Sequence, residues 1–117
     1  MAQFITRTAI ISSQTFSVHF PVFPPDTTGY WSSGYLQPGI LAILSSGASM
    51  TYNIEVTGDD PTVAGWKNST ANWIPFTNMS GLTASATGTL GAMVTAIRAN
   101  VTAYTSGTLT FQFIQAQ

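Results

Sequence analysis

The chain has 117 residues and a formal net charge of −1; only 6% of its residues are charged, while 44% are hydrophobic. This length predicts a single domain over residues 1–117, large enough to bury a core without disulfides. The absence of cysteine and the single histidine exclude thiolate chemistry and the common zinc sites. Three basic residues cannot follow a phosphate backbone, so the composition argues against a nucleic-acid partner.

Polarity in this chain comes from Thr, Ser, Asn and Gln rather than from charge. A net charge near zero favours association, so we expect an oligomer or a lattice component. The longest apolar run, residues 40–44, is too short to cross a bilayer, and the first 13 residues lack the pattern of a signal peptide. The sequence therefore predicts a protein made in a cytoplasm, with no membrane partner.

Alternation of apolar and polar residues with a period of two dominates the chain, and Gly, Pro, Asn and Ser separate the alternating segments. This pattern predicts an all-β fold, a single antiparallel β-sandwich or small barrel of about seven to eight short strands.

The N-terminal region begins with a predicted strand over residues 3–11. Residues 1–13 are therefore expected to form either an extended arm or an edge strand, which could add to the sheet of a neighbour. Residues 15–20 continue the alternation, with Phe16, Val18 and Phe20 on the apolar side.

A long loop over residues 21–38 carries an aromatic cluster, Tyr30, Trp31 and Tyr35. Aromatic side chains supply large contact area at low entropic cost, so the cluster is a candidate for sugar or protein contact. The competing interpretation is a lid that packs over one end of the fold. A second long loop is predicted over residues 57–69.

Residues 40–56 are predicted to form a hairpin that turns near residues 46–48. The expected cross-strand pairs are Leu44–Met50, Ala42–Tyr52 and Ile40–Ile54. Leu41 and Ile43 make the first strand apolar on its second face as well. Such a strand is either covered by a loop or lies at a subunit contact, so both residues are candidate partner contacts.

The C-terminal part contains weaker strands at residues 70–77 and 81–87 and a well-patterned hairpin over residues 96–115. The hairpin is predicted to turn at residues 105–107, where Gly107 supplies a left-handed conformation. The expected pairs on its apolar face are Ala103–Leu109, Val101–Phe111 and Ala99–Phe113.

Catalytic patterns are weak throughout. No Gly-x-Ser-x-Gly motif surrounds a serine, and His19 fits a solvated or hydrogen-bonded strand histidine better than a general base. Asp59 and Asp60 precede a proline and predict a turn, with a calcium site as a weaker alternative. Nothing in the sequence places Glu55 beside Asp26 as a glycosidase pair would require. We assign no catalytic, cofactor-binding or metal-binding residue and expect no enzyme activity.

Residues 94–115, VTAIRANVTAYTSGTLTFQFIQ, resemble the C-terminal strands of small structural proteins of tailed bacteriophages. An Arg-x-Asn-Val-Thr strand, a Ser-Gly turn and a closing strand ending in Gln recur in those proteins. The matching residues are Arg98, Asn100, Val101, Thr102, Ser106, Gly107 and Gln115. The resemblance implies a β-sandwich module such as those that serve as capsid decoration or cement proteins, without enzyme activity.

The expected function is therefore that of a virion protein on the capsid surface, which binds the major capsid protein and copies of itself and stabilises the head. A trimer is the first oligomer to consider. The alternative is a receptor- or glycan-binding module of a head fibre or tail that uses the loop over residues 21–38.

Overall fold

The computed structural model describes residues 4–22, 38–91 and 94–116, which form eight β-strands and no helix. In chain order these are β1 (Phe4–Ile11), β2 (Phe20–Pro21), β3 (Gly39–Leu44), β4 (Ser49–Thr57), β5 (Ile74–Pro75), β6 (Ala86–Thr89), β7 (Ala96–Ser106) and β8 (Leu109–Ala116). The predicted all-β fold is confirmed, and within these ranges no helix could cross a membrane.

The strands form two antiparallel sheets of four strands each. The first sheet has the order β1-β8-β3-β6, and the second has the order β2-β7-β4-β5. One hydrophobic cluster draws on both sheets, so the fold is a sandwich rather than a barrel.

The core consists of the inward-facing residues of the long strands. Phe111 and Phe113 of β8 and Tyr52 and Ile54 of β4 are fully buried, in agreement with the alternation in the sequence. The Tyr52 hydroxyl donates a hydrogen bond of 2.7 Å to the carbonyl oxygen of Ala84, and burial raises the pKa of Tyr52 to about 12. Each fully buried side chain of this size stabilises the fold by roughly 1.5–3 kcal/mol.

The predicted hairpin over residues 96–115 is wrong in its pairing. β7 pairs with β4 and β2, whereas β8 pairs with β1 and β3, so the chain crosses from one sheet to the other between them. Val101 and Phe111, expected as cross-strand neighbours, belong instead to opposite sheets and share the core. The turn prediction is confirmed by Gly107, whose φ is 94°.

The predicted hairpin over residues 40–56 is wrong for the same reason. β3 lies in the first sheet and β4 in the second. The predicted turn is present, since the Ala48 amide donates to the Ser45 carbonyl at 3.0 Å. Alternation identifies the buried face of a strand, but two buried faces can meet side by side or across a core.

Two of the connections between the sheets, the β3–β4 turn and the β7–β8 turn, pack on one another. The Ser45 amide donates to the Thr108 carbonyl, and the Thr108 amide donates to Ser45 Oγ, both at 2.9 Å. A Cβ atom at Gly107 would collide with the side chain of Ala48, so the close approach requires glycine as well as the positive φ.

The remaining strand predictions hold only in part. Of residues 70–77 only Ile74–Pro75 forms a strand, and the later one is shifted to Ala86–Thr89. Along residues 15–20 the expected apolar side is confirmed at Phe20, which packs against the core, but the faces are reversed at residues 16–18. Ser17 is buried, because its amide and hydroxyl bond to the backbone of Ala99 in β7, and Val18 is left 72% exposed.

Candidate functional site

The aromatic cluster Tyr30, Trp31 and Tyr35 lies outside the described residues. Its contact with a sugar or a protein therefore stays a prediction, as does the lid interpretation.

Leu41 and Ile43 lie on the outer face of the first sheet. Their neighbours Ile40 and Ala42 point into the core and are buried, so alternation turns Leu41 and Ile43 outwards. Ile43 is 44% exposed and Leu41 is half-buried. The structure thus brings the two residues together on one surface.

This surface continues in register across all four strands of the first sheet. The central row holds Thr8, Gln112, Leu41 and Thr87. One flanking row holds Thr6, Ile114, Gly39 and Thr89, and the other holds Ile10, Thr110 and Ile43. None of these residues is charged, and we refer to them together as the bare face.

The bare face offers threonine hydroxyls, one amide and branched aliphatic side chains on a pleated surface. Such side chains bind a partner through buried area and neutral hydrogen bonds rather than through ion pairs. The rows named above contain hydroxyl groups but no His, Asp, Glu or Lys beside them that could act as a base.

The outer face of the second sheet is different, because it carries a buried ion pair. Glu55 of β4 lies opposite Arg98 of β7, and Arg98 Nε donates to Glu55 Oε1 at 2.9 Å. Both side chains are only 9% exposed. Asn100 Nδ2 donates to the other carboxylate oxygen of Glu55 at 3.1 Å. These contacts supply the pairing that buried charges require.

Arg98 also joins two segments that cover the second sheet. Its guanidinium carbon lies 4.4 Å from the ring centre of Phe16 and 4.4 Å from that of Trp73. Its Nη1 donates to the carbonyl and side-chain oxygens of Asn68, both at 2.8 Å, and Asn68 Nδ2 donates to the Ser17 carbonyl. The planar guanidinium group of arginine can stack on aromatic rings and donate several hydrogen bonds at once, which suits it to joining two segments. We refer to Glu55, Asn68, Phe16, Trp73 and Arg98 as the arginine cluster.

The arginine cluster has a structural role. Residues 15–17 and 66–73 both reach Arg98, so the cluster fixes them against the second sheet. Each carboxylate oxygen of Glu55 accepts one hydrogen bond, from Arg98 or from Asn100, so Glu55 is the partner of a buried ion pair. Asp26, the other half of the glycosidase alternative, lies outside the described residues.

His19 contributes to the same covering layer. Its ring lies 4.5 Å from that of Trp66 in an edge-to-face arrangement, and Trp66 lies 6.4 Å from Trp73. Burial lowers the pKa of His19. Within the described ranges His19 Nδ1 is buried without a hydrogen-bond partner, so this nitrogen is not oriented by a carboxylate as a catalytic base would be.

Asp59 and Asp60 stabilise the loop that follows β4, and the predicted turn is confirmed. Asp60 Oδ1 accepts hydrogen bonds from the hydroxyl and the amide of Thr62, at 2.6 and 2.9 Å, and both bonds lower the pKa of Asp60. Asp59 Oδ2 accepts from the Asn72 amide at 2.8 Å. In the part of the chain that the structure describes, no three acidic or histidine side chains form a metal-binding group.

A groove of about 400 Å³ beside β1 was missed by the sequence analysis. It runs between β1 and residues 15–20, with Ile10, Phe16 and Val18 among its walls. These side chains are 71%, 38% and 72% exposed. The alternation over residues 15–20 had assigned Phe16 and Val18 to the core; the only available signal was the absence of charge from residue 8 to residue 18.

Comparison of the chain with protein-family models, with curated proteins and with solved structures gives no match. The contacts and surfaces of the described residues are therefore the basis for a functional proposal.

Proposed function

We propose that the chain is a virion structural protein of a tailed bacteriophage, a capsid decoration protein that binds the outer surface of the major capsid lattice and stabilises the head. The resemblance of residues 94–115 to phage structural proteins supports the class of particle. The observation that carries the role is the bare face, a four-stranded surface without a single charged residue.

The size of the bare face supports attachment in several copies. Four strands about 4.8 Å apart and six residues of about 3.3 Å rise give a surface of about 400 Å². A stable interface buries about 800 Å² on each partner, so one copy offers about half of what is needed. A homo-oligomer that engages several capsid subunits at once would gain the missing affinity through multivalency.

The other outer face is less suited to attachment. The arginine cluster holds two covering segments on the second sheet, so a partner would first have to displace them. Among the described residues, Ile10 and Ile43 on the outer face of the first sheet are 71% and 44% exposed, which favours this face as the contact surface.

Co-sedimentation with empty capsids of the phage that encodes the chain tests this function. The wild type is expected in the capsid pellet. Ile43→Lys places an ammonium group in the contact and should weaken binding more than tenfold, a loss of over about 1.4 kcal/mol. Val63→Lys is the matched control, because Val63 is 58% exposed in the loop that follows β4.

Circular dichroism and thermal melting should show both variants folded, since both sites are exposed. Wild-type protein that stays in the supernatant would overturn the proposed function. Equal binding by the two lysine variants would show that the bare face is not the contact.

A further inference from the structure

The four edges of the two sheets are unequally protected. β2 and β5, the edges of the second sheet, are each two residues long and end in Pro21 and Pro75. β6, one edge of the first sheet, has four residues. Short strands and prolines are the usual means of preventing unwanted strand addition. β1, the other edge of the first sheet, has neither.

β1 is eight residues long, and its pairing is uninterrupted. All eight of its residues pair with β8 in a continuous register, and the strand contains no proline and no lysine. Its outward side chains include Thr6, Thr8 and Ile10, and the last is 71% exposed. Within the described ranges no strand pairs with the second edge of β1. Such an edge is a template for another strand.

We propose that two copies of this chain pair through the free edges of β1, antiparallel about a two-fold axis perpendicular to the sheet. The two first sheets then form one continuous sheet of eight strands. A two-fold contact uses the same surface of both copies, so one exposed strand is sufficient to build it. The contact gives the homo-oligomer of the proposed function a definite form, with two copies in place of the expected three.

The charge of Arg7 selects the register. The two-fold axis is perpendicular to the sheet, so outward-facing residues of one β1 must lie opposite outward-facing residues of the other. This is possible only if the axis passes between one residue and the same residue of the other copy. Two registers then pair seven residues, one centred on Arg7 and one centred on Thr8. The first sets Arg7 opposite its own copy, and directly opposed like charges destabilise a strand pair. The second sets Arg7 opposite Ala9 and Thr8 opposite Thr8, so we assign the register centred on Thr8.

The groove beside β1 supports a second copy as the occupant. In the register centred on Thr8, the half of β1 that borders the groove lies along the N-terminal half of β1 of the other copy, so Ile10, 71% exposed in one copy alone, becomes shielded from water opposite Thr6. The residues that line the groove carry no charge, so the surface can meet its own copy without like-charge repulsion.

Sedimentation equilibrium of the free protein at micromolar concentrations gives the first test. The wild type should have the mass of a dimer. Ile10→Lys should raise the dissociation constant more than tenfold, because a lysine on the edge opposes strand addition. Ile74→Lys is the matched control, since Ile74 is 63% exposed in β5, an edge of the other sheet, and this variant should remain dimeric.

Single cysteines test the register, because the chain has no cysteine of its own. In the assigned register Thr8→Cys lies opposite its copy, with Cα atoms about 4.5–5.5 Å apart, which is within the span of a disulfide. Thr6→Cys lies four residues out of line with its copy, about 13 Å away. Mild oxidation should therefore link Thr8→Cys into a covalent dimer and leave Thr6→Cys unlinked.

A monomeric or trimeric mass for the wild type overturns the pairing, and so does oxidation of Thr6→Cys as fast as Thr8→Cys. Dissociation by Ile74→Lys but not by Ile10→Lys overturns it as well. The proposed function has a separate outcome: a monomer that binds capsids refutes only the pairing, and a dimer that does not bind them refutes only the capsid role.

Discussion

The two outer faces of the sandwich differ in how they use charge. On the second sheet Glu55 and Arg98, two of the few charged residues in the chain, are buried in one ion pair beneath covering segments. On the first sheet the bare face carries no charge and is partly exposed. The charges of the second sheet thus serve the fold, whereas the described residues of the bare face carry no charge. Charge content alone would not have separated these roles.

Replacement of Arg98 should have the largest effect on stability. Arg98→Ala leaves Glu55 buried without a counter-charge, and removal of one partner of a buried pair costs about 3–5 kcal/mol. Urea denaturation measures the loss. The double variant Glu55→Leu, Arg98→Met is the control and should lose less, because no lone charge remains buried. If Arg98→Ala lowers the free energy of unfolding by less than about 1 kcal/mol, the structural role of the arginine cluster is contradicted, because an ordinary surface substitution has an effect of that size.

Trp73→Ala tests whether the arginine cluster holds the covering segment. It removes one of the two rings on Arg98, a contact worth up to about 2 kcal/mol when desolvated. Because cleavage requires local opening, trypsin should cut after Lys67 faster in this variant than in the wild type. Val63→Ala, an exposed site in the same loop, is the control and should leave the rate unchanged. Equal rates for Trp73→Ala and the wild type would show that the ring does not fix the segment.

The covering layer should also give the fold a modest pH dependence. The pKa of His19 is lowered by burial in the folded state, so the unfolded chain binds more protons near its ordinary pKa of about 6.5. The free energy of unfolding should therefore fall as the pH drops below about 6.5 and level off below the folded pKa. His19→Gln should remove this part of the profile. The pKa of Asp60 is lowered from its ordinary value, so this carboxylate does not titrate in the same pH range.

Gln112→Ala on the bare face should have the smallest effect. Gln112 lies in the central row of that face and is not part of the core, so its loss should change the free energy of unfolding by less than about 0.5 kcal/mol. Phe111→Ala, one residue earlier and fully buried, should cost about 3–5 kcal/mol in the same urea experiment. Similar losses for the two variants would mean that the faces of β8 are reversed.

The sequence predicted which face of each strand is buried better than it predicted which strands lie side by side in a sheet. The buried residues of β8 and β4 followed from alternation, since each strand has one apolar side whatever lies beside it. The sheet partners did not follow, because Val101 and Phe111 satisfy the same pattern as neighbours in a hairpin or across a core.

The arginine cluster could not have been predicted from local pattern, because Glu55 and Arg98 meet only through the pairing of β4 with β7. Of the candidate contacts, Leu41 and Ile43 were identified correctly as outward-facing residues by the apolar second face of their strand. Ile10, Phe16 and Val18 were missed, because residues 15–17 bond to β7 through Ser17 and reverse the expected orientation.

The salt dependence of capsid binding tests the central claim most directly. Binding through uncharged sheet surfaces leaves few charges to screen, so the dissociation constant should change less than about twofold between low and high salt. A loss of tenfold or more in affinity with added salt would contradict the account, because it would require ion pairs that the bare face does not contain.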